Sequence, residues 1–381
     1  MKPDGLAAKY FLARVLYWRD ALDTLDGQAV AQLLKVLEST KADVLARLAA
    51  DAEGLASITD WNRDRLIQVN AWLTEVTTAA QATTLAAITQ ASVTAAAASL
   101  VTYNAMMSFE GRAAAVQTVG MTAEQLTTWF QRTPLQNGTV LSEWVSKAFE
   151  NGVNDSVISA IQRGGLEGKG TAAMIKDVLQ TALDDGFAIT QREATTLTRT
   201  YTQTANVQAM EAVIQANSDI IKGYKRVETL DNKTCRICAL ADGAEYGLKD
   251  PRPALPAHPG CRGVYTPVTK SWRDFGIDLD DLEEVTRPWG MREPGAIGTG
   301  GRKILEYGHT TENFSGWWES LSATQKAKTS IGPVRGKLLE SGAVSWSDLW
   351  DKKTGLPYTL KQLGFEPSKQ LSNTSSKGRT S

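Results

Sequence analysis

The sequence predicts a predominantly α-helical α+β protein in three parts: a helical N-terminal region, a central domain with a small β element, and a helical C-terminal segment. Three observations support this fold class. Apolar residues recur three and four positions apart over the first third of the chain, which is the period of an α-helix. This period changes to the alternation of a strand near residue 220. All three cysteines and one of the two histidines lie between residues 235 and 261.

Length and composition are those of a globular protein. With 381 residues, of which 42% are hydrophobic and 22% charged, the chain is long enough for two or three domains and too apolar for disorder over most of its length. Lysine plus arginine (41) nearly balance aspartate plus glutamate (42). No global field therefore draws the protein to nucleic acid or acidic lipid, and any contact with DNA is expected to be local. The N-terminus lacks the pattern of a secretory signal.

Residues 1–132 are predicted to form a set of long helices interrupted at Gly27, at Gly54 and near Asp60, which would cap a new helix. That helix continues into an uncharged run, Val76–Phe109. The run is rich in Ala, Thr, Gln and Ser, and its glutamines would lack partners in hydrocarbon. A packed helix is therefore favoured over a membrane span. Since such a surface buries little large apolar area, we expect it to contact partner proteins, and we expect the rest of the chain to fold without residues 1–130.

Residues 133–270 are predicted to form the central domain. Pro134 and the Asn137-Gly138 pair mark its start. The predicted elements in chain order are helices at 141–161, 172–183 and 190–217, with a glycine-rich turn at 164–170 between the first two, and strands at 220–230 and 264–268. Between the two strands lies almost all of the chemically distinctive sequence.

The remaining residues are predicted to form three segments. Residues 271–311 are interpreted as a glycine-rich loop segment, and its GAIGTGGRK run lacks the Lys-Ser/Thr of a phosphate-binding loop. Residues 312–366 are predicted to be a compact helical unit, and residues 367–381 a polar, flexible tail. The tryptophans of the helical unit would form either a core or a partner surface; they are Trp317, Trp318, Trp346 and Trp350.

The residues with the most distinctive spacing are Cys235, Cys238, His258 and Cys261. Each of the two pairs places two soft ligands in one tight turn, and the two turns together supply the four ligands of a tetrahedral zinc site. Such a site leaves no position for a reactive water, so the sequence predicts a structural Zn²⁺ that pins the small β element. Two alternatives remain: a Cys235–Cys238 redox pair, which the turn-like ALADG that follows does not favour, and three unrelated thiols.

Residues 192–267 resemble the minor head proteins of tailed bacteriophages, the head morphogenesis family typified by the F protein of phage Mu. The matching pieces are, in order, Arg199-Thr200 in a helix, Tyr224-Lys225-Arg226 in a strand, LDNKTC at 230–235, Cys238 with Asp242-Gly243, and PAHPGCRG at 256–263. Gly263 stands where the family often has a second cysteine, but four ligands are present without it. Weaker similarity extends over about residues 133–363 and leaves the first third uncovered. Arg199 is predicted to clamp a backbone carbonyl or a carboxylate such as Asp231.

The resemblance implies a structural minor capsid protein of the virion head, made in the bacterial cytoplasm. It implies association with portal protein or major capsid protein, with several copies per virion and local contact with packaged DNA. The implied role is in head assembly or in DNA packaging and ejection. The resemblance implies neither a catalytic residue nor a membrane contact. One alternative is a zinc-stabilised nuclease, whose catalytic histidine would be His309 beside an Asn or Asp on a hairpin–helix element. Another is an injected virion protein whose Ala/Thr-rich helix enters a membrane.

Overall fold

The computed structural model describes residues 4–52, 63–110, 118–132, 134, 138–166, 180–270, 287–292 and 304–365. In these ranges the protein is mostly helical and carries two small sheets, which confirms a predominantly helical α+β fold. Several predictions lie outside the described residues: the cap at Asp60, the turn at 164–170 except its first residues, most of the helix at 172–183, the glycine-rich run at 295–301 and the tail at 367–381.

Three long helices organise the N-terminal half of the chain. They are α1 (Asp4–Ala52), α2 (Arg63–Glu110) and α6 (Gln180–Ala216), and each packs against the other two. The predicted interruption at Gly27 is wrong, because α1 runs through it without a break. One glycine costs a helix only about 1 kcal/mol, and the buried Leu22 and Val30 on either side of it hold α1 against its neighbours.

Small side chains let α2 lie close to the other helices. Ala95, Ser92 and Ser99 are fully buried, and the Ser92 hydroxyl donates to the Ile88 carbonyl one turn earlier at 2.8 Å, so no partner outside the helix is needed. In the part of the chain that the structure describes, only this helix is long and apolar enough to cross a membrane. An 18-residue window within its segment 66–107 has a mean hydropathy of 1.4, and 56% of that window is buried inside the protein, as in the core helix of a folded domain.

One hydrophobic core crosses the predicted boundary at residue 132. Leu37 of α1 and Val69 of α2 belong to the same buried cluster as Leu197 of α6. The cluster also takes in α3 (Ala123–Arg132), α4 (Leu141–Phe149) and α5 (Asp155–Leu166). Residues 1–132 therefore share their core with the following helices. A chain lacking residues 1–130 would expose the buried face of α6. The prediction that this fragment folds alone is therefore not supported by the shared core.

A π-helical turn, Glu150–Asn154, joins α4 to α5 and brings their backbone against α6. The contact depends on two glycines, because a Cβ on Gly186 would overlap the Gly152 carbonyl oxygen and a Cβ on Gly152 would overlap Thr190 Oγ1. The Thr190 hydroxyl donates to the Ala148 carbonyl at 3.1 Å across this contact. The wider π-turn turns Gly152 towards α6.

Two three-stranded sheets follow α6. In the first, β1 (Ile221–Val227) lies between β3 (Glu245–Gly247) and β4 (Val264–Thr269), antiparallel to both, so the predicted pairing of the two candidate strands is confirmed. In the second, β5 (Arg287–Arg292) lies between β2 (Leu230–Asp231), which is parallel to it, and β6 (Ile304–Thr310), which is antiparallel.

The prediction of a loop segment at 271–311 is wrong where the structure describes it, because β5 and β6 are paired strands. Their glycines serve packing. Gly308 lies opposite Trp289, and a Cβ on Gly308 would lie only 2.7 Å from the Trp289 indole nitrogen. A glycine in a strand can therefore make room for a large side chain on the neighbouring strand, and the sequence pattern does not distinguish this use from a turn.

The C-terminal unit contains α8 (Phe314–Ser320), α9 (Ala323–Ala327), α10 (Pro333–Glu340) and a 3₁₀ turn, Trp346–Leu349. Trp317 and Trp318 are 1% and 2% exposed. They pack in one cluster with Leu230 of β2 and Leu240 of α7 (Arg236–Ala241), and the partly buried Trp346 and Trp350 cover it. The tryptophans thus form a core, which attaches the C-terminal unit to the second sheet.

We expect Gly186→Ala to destabilise the protein by about 2 kcal/mol or more, because the new methyl group must displace backbone. Gly27→Ala is the matched control: nothing lies within 4 Å of a Cβ there, and alanine is the better helix former by about 1 kcal/mol. Chemical denaturation of both variants measures the difference. Equal stability of the two variants would show that α6 and the π-turn do not pack as closely as the structure describes.

Asp26 makes stability depend on pH. Burial raises the pKa of this carboxyl to about 7, although Thr202 donates a hydrogen bond to it. A carboxyl with a raised pKa in the folded state favours folding when protonated, so this contribution is lost as pH rises from about 4 through about 7. We expect Asp26→Asn to raise the free energy of unfolding at about pH 8.5 by roughly 1 to 3 kcal/mol and to change it much less at about pH 4. Asp43→Asn, at an exposed position of the same helix, should change little at either pH, as measured by urea titration.

Candidate metal centre

The first pair of cysteines lies where β2 leads into α7. Cys235 is the N-cap residue of α7, with extended backbone, and its Sγ accepts a hydrogen bond from the Cys238 N–H at 3.4 Å. The turn predicted at ALADG begins later than expected, because its first three residues continue α7. Helix α7 orients Cys235 and Cys238 towards the same side, as a metal-binding turn requires.

The second pair is held by α6. The Cys261 N–H donates to the His258 carbonyl at 3.0 Å, and this turn includes Gly260, whose φ of +70° favours glycine. Thr200 Oγ1 accepts a hydrogen bond from the Gly260 N–H at 3.0 Å, and Gln203 Nε2 donates to the Gly263 carbonyl at 2.6 Å. Two polar side chains on one face of α6 therefore position the turn that carries His258 and Cys261.

The structure places the four predicted ligands in two overlapping groups that share Cys238: one contains Cys235, Cys238 and His258, and the other contains Cys238, Cys261 and Glu228. His258 Nε2 lies 2.9 Å from Cys235 Sγ and 3.4 Å from Cys238 Sγ, and Cys238 Sγ lies 3.6 Å from Cys261 Sγ. The edges of a tetrahedron of sulfur and nitrogen around zinc measure about 3.5 to 3.8 Å. These three distances are close to the edges of such a tetrahedron, and a single site with all four ligands would require Cys261 to move closer to Cys235 and His258. The thiols thus lie in one cluster that could hold a metal ion.

The donor set of the cluster suits a thiophilic cation. The pKa of Cys235 is lowered to about 4 and that of Cys261 to about 5, in each case mainly by a hydrogen bond with Cys238. The same hydrogen bonds raise the pKa of Cys238. A hydrogen bond with Cys235 raises the pKa of His258 to about 9. The cluster thus concentrates negative charge at neutral pH, and a bound cation would neutralise it.

His258 is oriented by its other ring nitrogen. Nδ1 lies 2.9 Å from the Pro259 carbonyl oxygen and donates to it, so Nε2 is the ring nitrogen that faces the sulfurs. Cys238 and Cys261 are 3% and 2% exposed, and Cys235 and His258 are half-buried. The cluster is therefore accessible from one side only.

Sequence analysis did not identify Glu228. It is buried, its Oε1 lies 2.7 Å from Nε of the buried Arg226, and its carboxylate lies within 4.8 Å of the sulfurs of Cys238 and Cys261. Arg226 Nη2 in turn lies 3.6 Å from Cys238 Sγ. A Cβ on Gly263 would overlap the Glu228 carboxylate, which gives a physical reason for the glycine at this position. Arg226 was part of the matched strand, whereas Glu228 gave no signal in the sequence.

A network of buried charges surrounds the cluster. Arg262 holds Asp231 in two hydrogen bonds, at 2.7 and 2.8 Å. Asp231 is therefore clamped by Arg262, where the sequence analysis expected Arg199. Arg199 instead lies near Asp26, whose ionised form it favours by its charge. The positions in the chain account for this difference. Arg262 directly follows Cys261, whereas Arg199 lies on α6 about one turn before Thr202, the residue that donates a hydrogen bond to Asp26.

His309 lies on β6, exposed and opposite Pro288. The hairpin of β5 and β6 leads into α8, and Asn313 caps α8 by accepting a hydrogen bond from the Gly316 N–H at 3.2 Å. A hairpin followed by a helix is thus present. Within the described ranges, the two groups of three or more candidate metal ligands are at the cysteine cluster, and neither includes His309.

The fold and the site define a helical α+β protein with a buried cluster of three cysteines and one histidine. No family model, no curated protein and no solved structure matched the chain when it was compared with each. Arguments about its function therefore depend on its own residues and their contacts.

We expect His258→Ala to lose bound metal and His309→Ala to keep it. His258 is in the cluster and His309 is not, so the same substitution at the second histidine is a matched control. Structural zinc in peptides contributes on the order of 10 kcal/mol or more, so the melting temperature should fall only in the first variant. Elemental analysis of the purified protein and thermal unfolding measure the two effects. Unchanged metal content in His258→Ala would contradict the site.

Proposed function

We propose that this chain is a minor head protein of a tailed bacteriophage, a structural component of the virion in which a bound Zn²⁺ stabilises the fold. One observation carries the proposal: the sequence pieces that resemble the minor head family are the pieces that build the cluster and its network. Thr200 holds the second turn, Arg226 contacts Cys238, and Asp231 pairs with Arg262. A chance resemblance of scattered short motifs would not select residues in mutual contact.

The role proposed for zinc is structural. Cys235, Cys238, His258 and Cys261 would hold it, and the ion would link two turns that are separated along the chain. Four protein ligands complete a tetrahedral shell, so no position is left for a catalytic water. A redox pair is less well supported, because Cys238 faces His258 and Cys261 as well as Cys235.

Exposed apolar positions along α2, at both ends of the helix, are the partner contacts we favour, with portal protein or major capsid protein as the partner. Val101 and Ile67 are 71% and 57% exposed, and they stand out from small and polar neighbours. Large apolar residues on a surface gain free energy when a neighbouring protein covers them. The shared core of α1, α2 and α6 would hold this surface rigid.

The nuclease remains the second candidate, because the β5–β6 hairpin and α8 supply the arrangement that it needs around His309. Against it, the side chain of Asn313 is engaged as the helix cap. Digestion of duplex DNA by the full-length chain with added divalent metal, abolished in His309→Ala, would replace the head-protein proposal by the nuclease.

We expect the full-length chain to copurify with portal protein from mature particles and to be detected by mass spectrometry of the washed virions. Particles assembled with an Ile67→Glu, Val101→Glu variant should contain at most about a tenth as much of the chain, since charge on the contact face opposes burial. Leu356→Glu, at a position 57% exposed in the C-terminal unit, should be incorporated normally. Reduced incorporation of Leu356→Glu, with normal incorporation of the α2 variant, would show that the partner contacts the C-terminal unit instead. Absence of the wild-type chain from particles would refute the proposal.

A further inference from the structure

Two arginines lie near the start of α10, where the C-terminal unit contacts α7. Arg236, the first residue of α7, donates through Nε to the Ser330 carbonyl at 3.1 Å. Arg335, in the first turn of α10, donates through Nη2 to the Tyr358 carbonyl at 2.8 Å. Each guanidinium carries five N–H groups, so most of their donors remain for another acceptor. Arg335 Nε is buried and has no hydrogen-bond partner among the described residues.

The start of α10 lies between the two arginines. Its N-cap is Gly332, with a φ of +79° and no side chain to cap the helix, and Pro333 follows at the first helical position. A Cβ on Gly332 would lie 3.9 Å from Arg236 Nη2, so one guanidinium reaches the helix start from α7. Arg335 reaches it from the first turn of α10 itself.

No carboxylate compensates the two charges in the part of the chain that the structure describes. The ion pairs there do not include Arg236 or Arg335. Burial, and then the charge of Arg236, lower the pKa of Arg335. Neighbouring like charges repel each other, and an anion bound beside both would offset this repulsion. The other buried or half-buried arginines of the domain contrast with this pair, because Arg226, Arg262 and Arg287 each contact a carboxylate.

We propose that Arg236 and Arg335, assisted by the start of α10, form a binding site for a phosphate group, either of free phosphate or of a nucleic-acid backbone. The planar guanidinium matches the oxygens of phosphate in pairs of hydrogen bonds. The helix start adds N–H groups that have no intrahelical partner. The site is distinct from the metal cluster and stands whether or not the chain is a head protein.

Calorimetric titration of the full-length, metal-loaded protein with inorganic phosphate tests the site. Ionic strength is kept constant with sodium chloride, because screening would otherwise change with ligand. We expect saturable binding at one site per chain, weakened about tenfold or more by Arg335→Gln and by Arg236→Gln. Lys337→Gln removes the same charge from an exposed position later in α10, and should leave the affinity within about twofold of wild type.

Val334→Glu provides a variant that should keep the fold. Val334 is 47% exposed, and an acidic residue in the first turn of a helix is favourable. The added negative charge in the first turn of α10 would repel phosphate, so phosphate binding should weaken about tenfold or more while the melting temperature is maintained. Competition of a short DNA duplex with phosphate would identify a nucleic-acid backbone as the ligand, and binding without such competition would identify free phosphate. No saturable binding to wild type, equal affinity for acetate, or wild-type affinity in Arg335→Gln would each overturn the proposal.

Discussion

The carboxylate of Asp242 joins the two sheets and the C-terminal unit. Its oxygens accept hydrogen bonds from the Glu228 N–H at 2.7 Å, from Arg287 at 2.8 and 3.0 Å, and from the Phe314 N–H at 2.7 Å. A buried carboxylate is tolerated only when such donors replace water. The end of β1, the start of β5 and the start of α8 are therefore fixed relative to one point. The tryptophan core and the cysteine cluster lie on either side of it.

The long helix α6 is the element that the helical core and the cysteine cluster share. Leu197 and Tyr201 of α6 are buried in the N-terminal core. Further along the helix, Val213 and Ile214 pack in a second core with Cys238 and Cys261. Thr200 accepts a hydrogen bond from the turn that carries His258 and Cys261. A change in the packing of α1 or α2 would therefore shift α6, and with it the turn that carries His258 and Cys261. Conversely, a metal ion that cross-links the two turns would stabilise the position of α6 against the N-terminal helices.

The parts of the fold that could be predicted from sequence are those with a local signal. The helical period predicted helices in the regions of α1, α2 and α6, although it broke α1 at Gly27 and began a new helix at 190 within the continuous α6. The spacing of Cys235, Cys238, His258 and Cys261 was sufficient to predict that they lie in one cluster. The rest depends on contacts between distant segments. In the sequence Gly308 looks like a loop residue, and only the strand pairing shows that it makes room for Trp289. Glu228 likewise looks like any acidic residue in the sequence, and only the fold shows that it lies between Arg226 and Gly263. The shared core of α1, α2 and α6 likewise has no signature along the chain.

Gly263 and Glu228 exclude a larger side chain from each other's position. The Glu228 carboxylate is held by Arg226 and fills the space that a side chain at 263 would need. A larger residue at position 263 would therefore require a smaller one at position 228. A chain of this fold with cysteine at the position of Gly263 must have a shorter residue at the position of Glu228, and Arg226 must then find another acceptor. The three positions are therefore expected to vary together during evolution. The wall of the cluster would be built either from a salt bridge or from an additional thiol, and not from both.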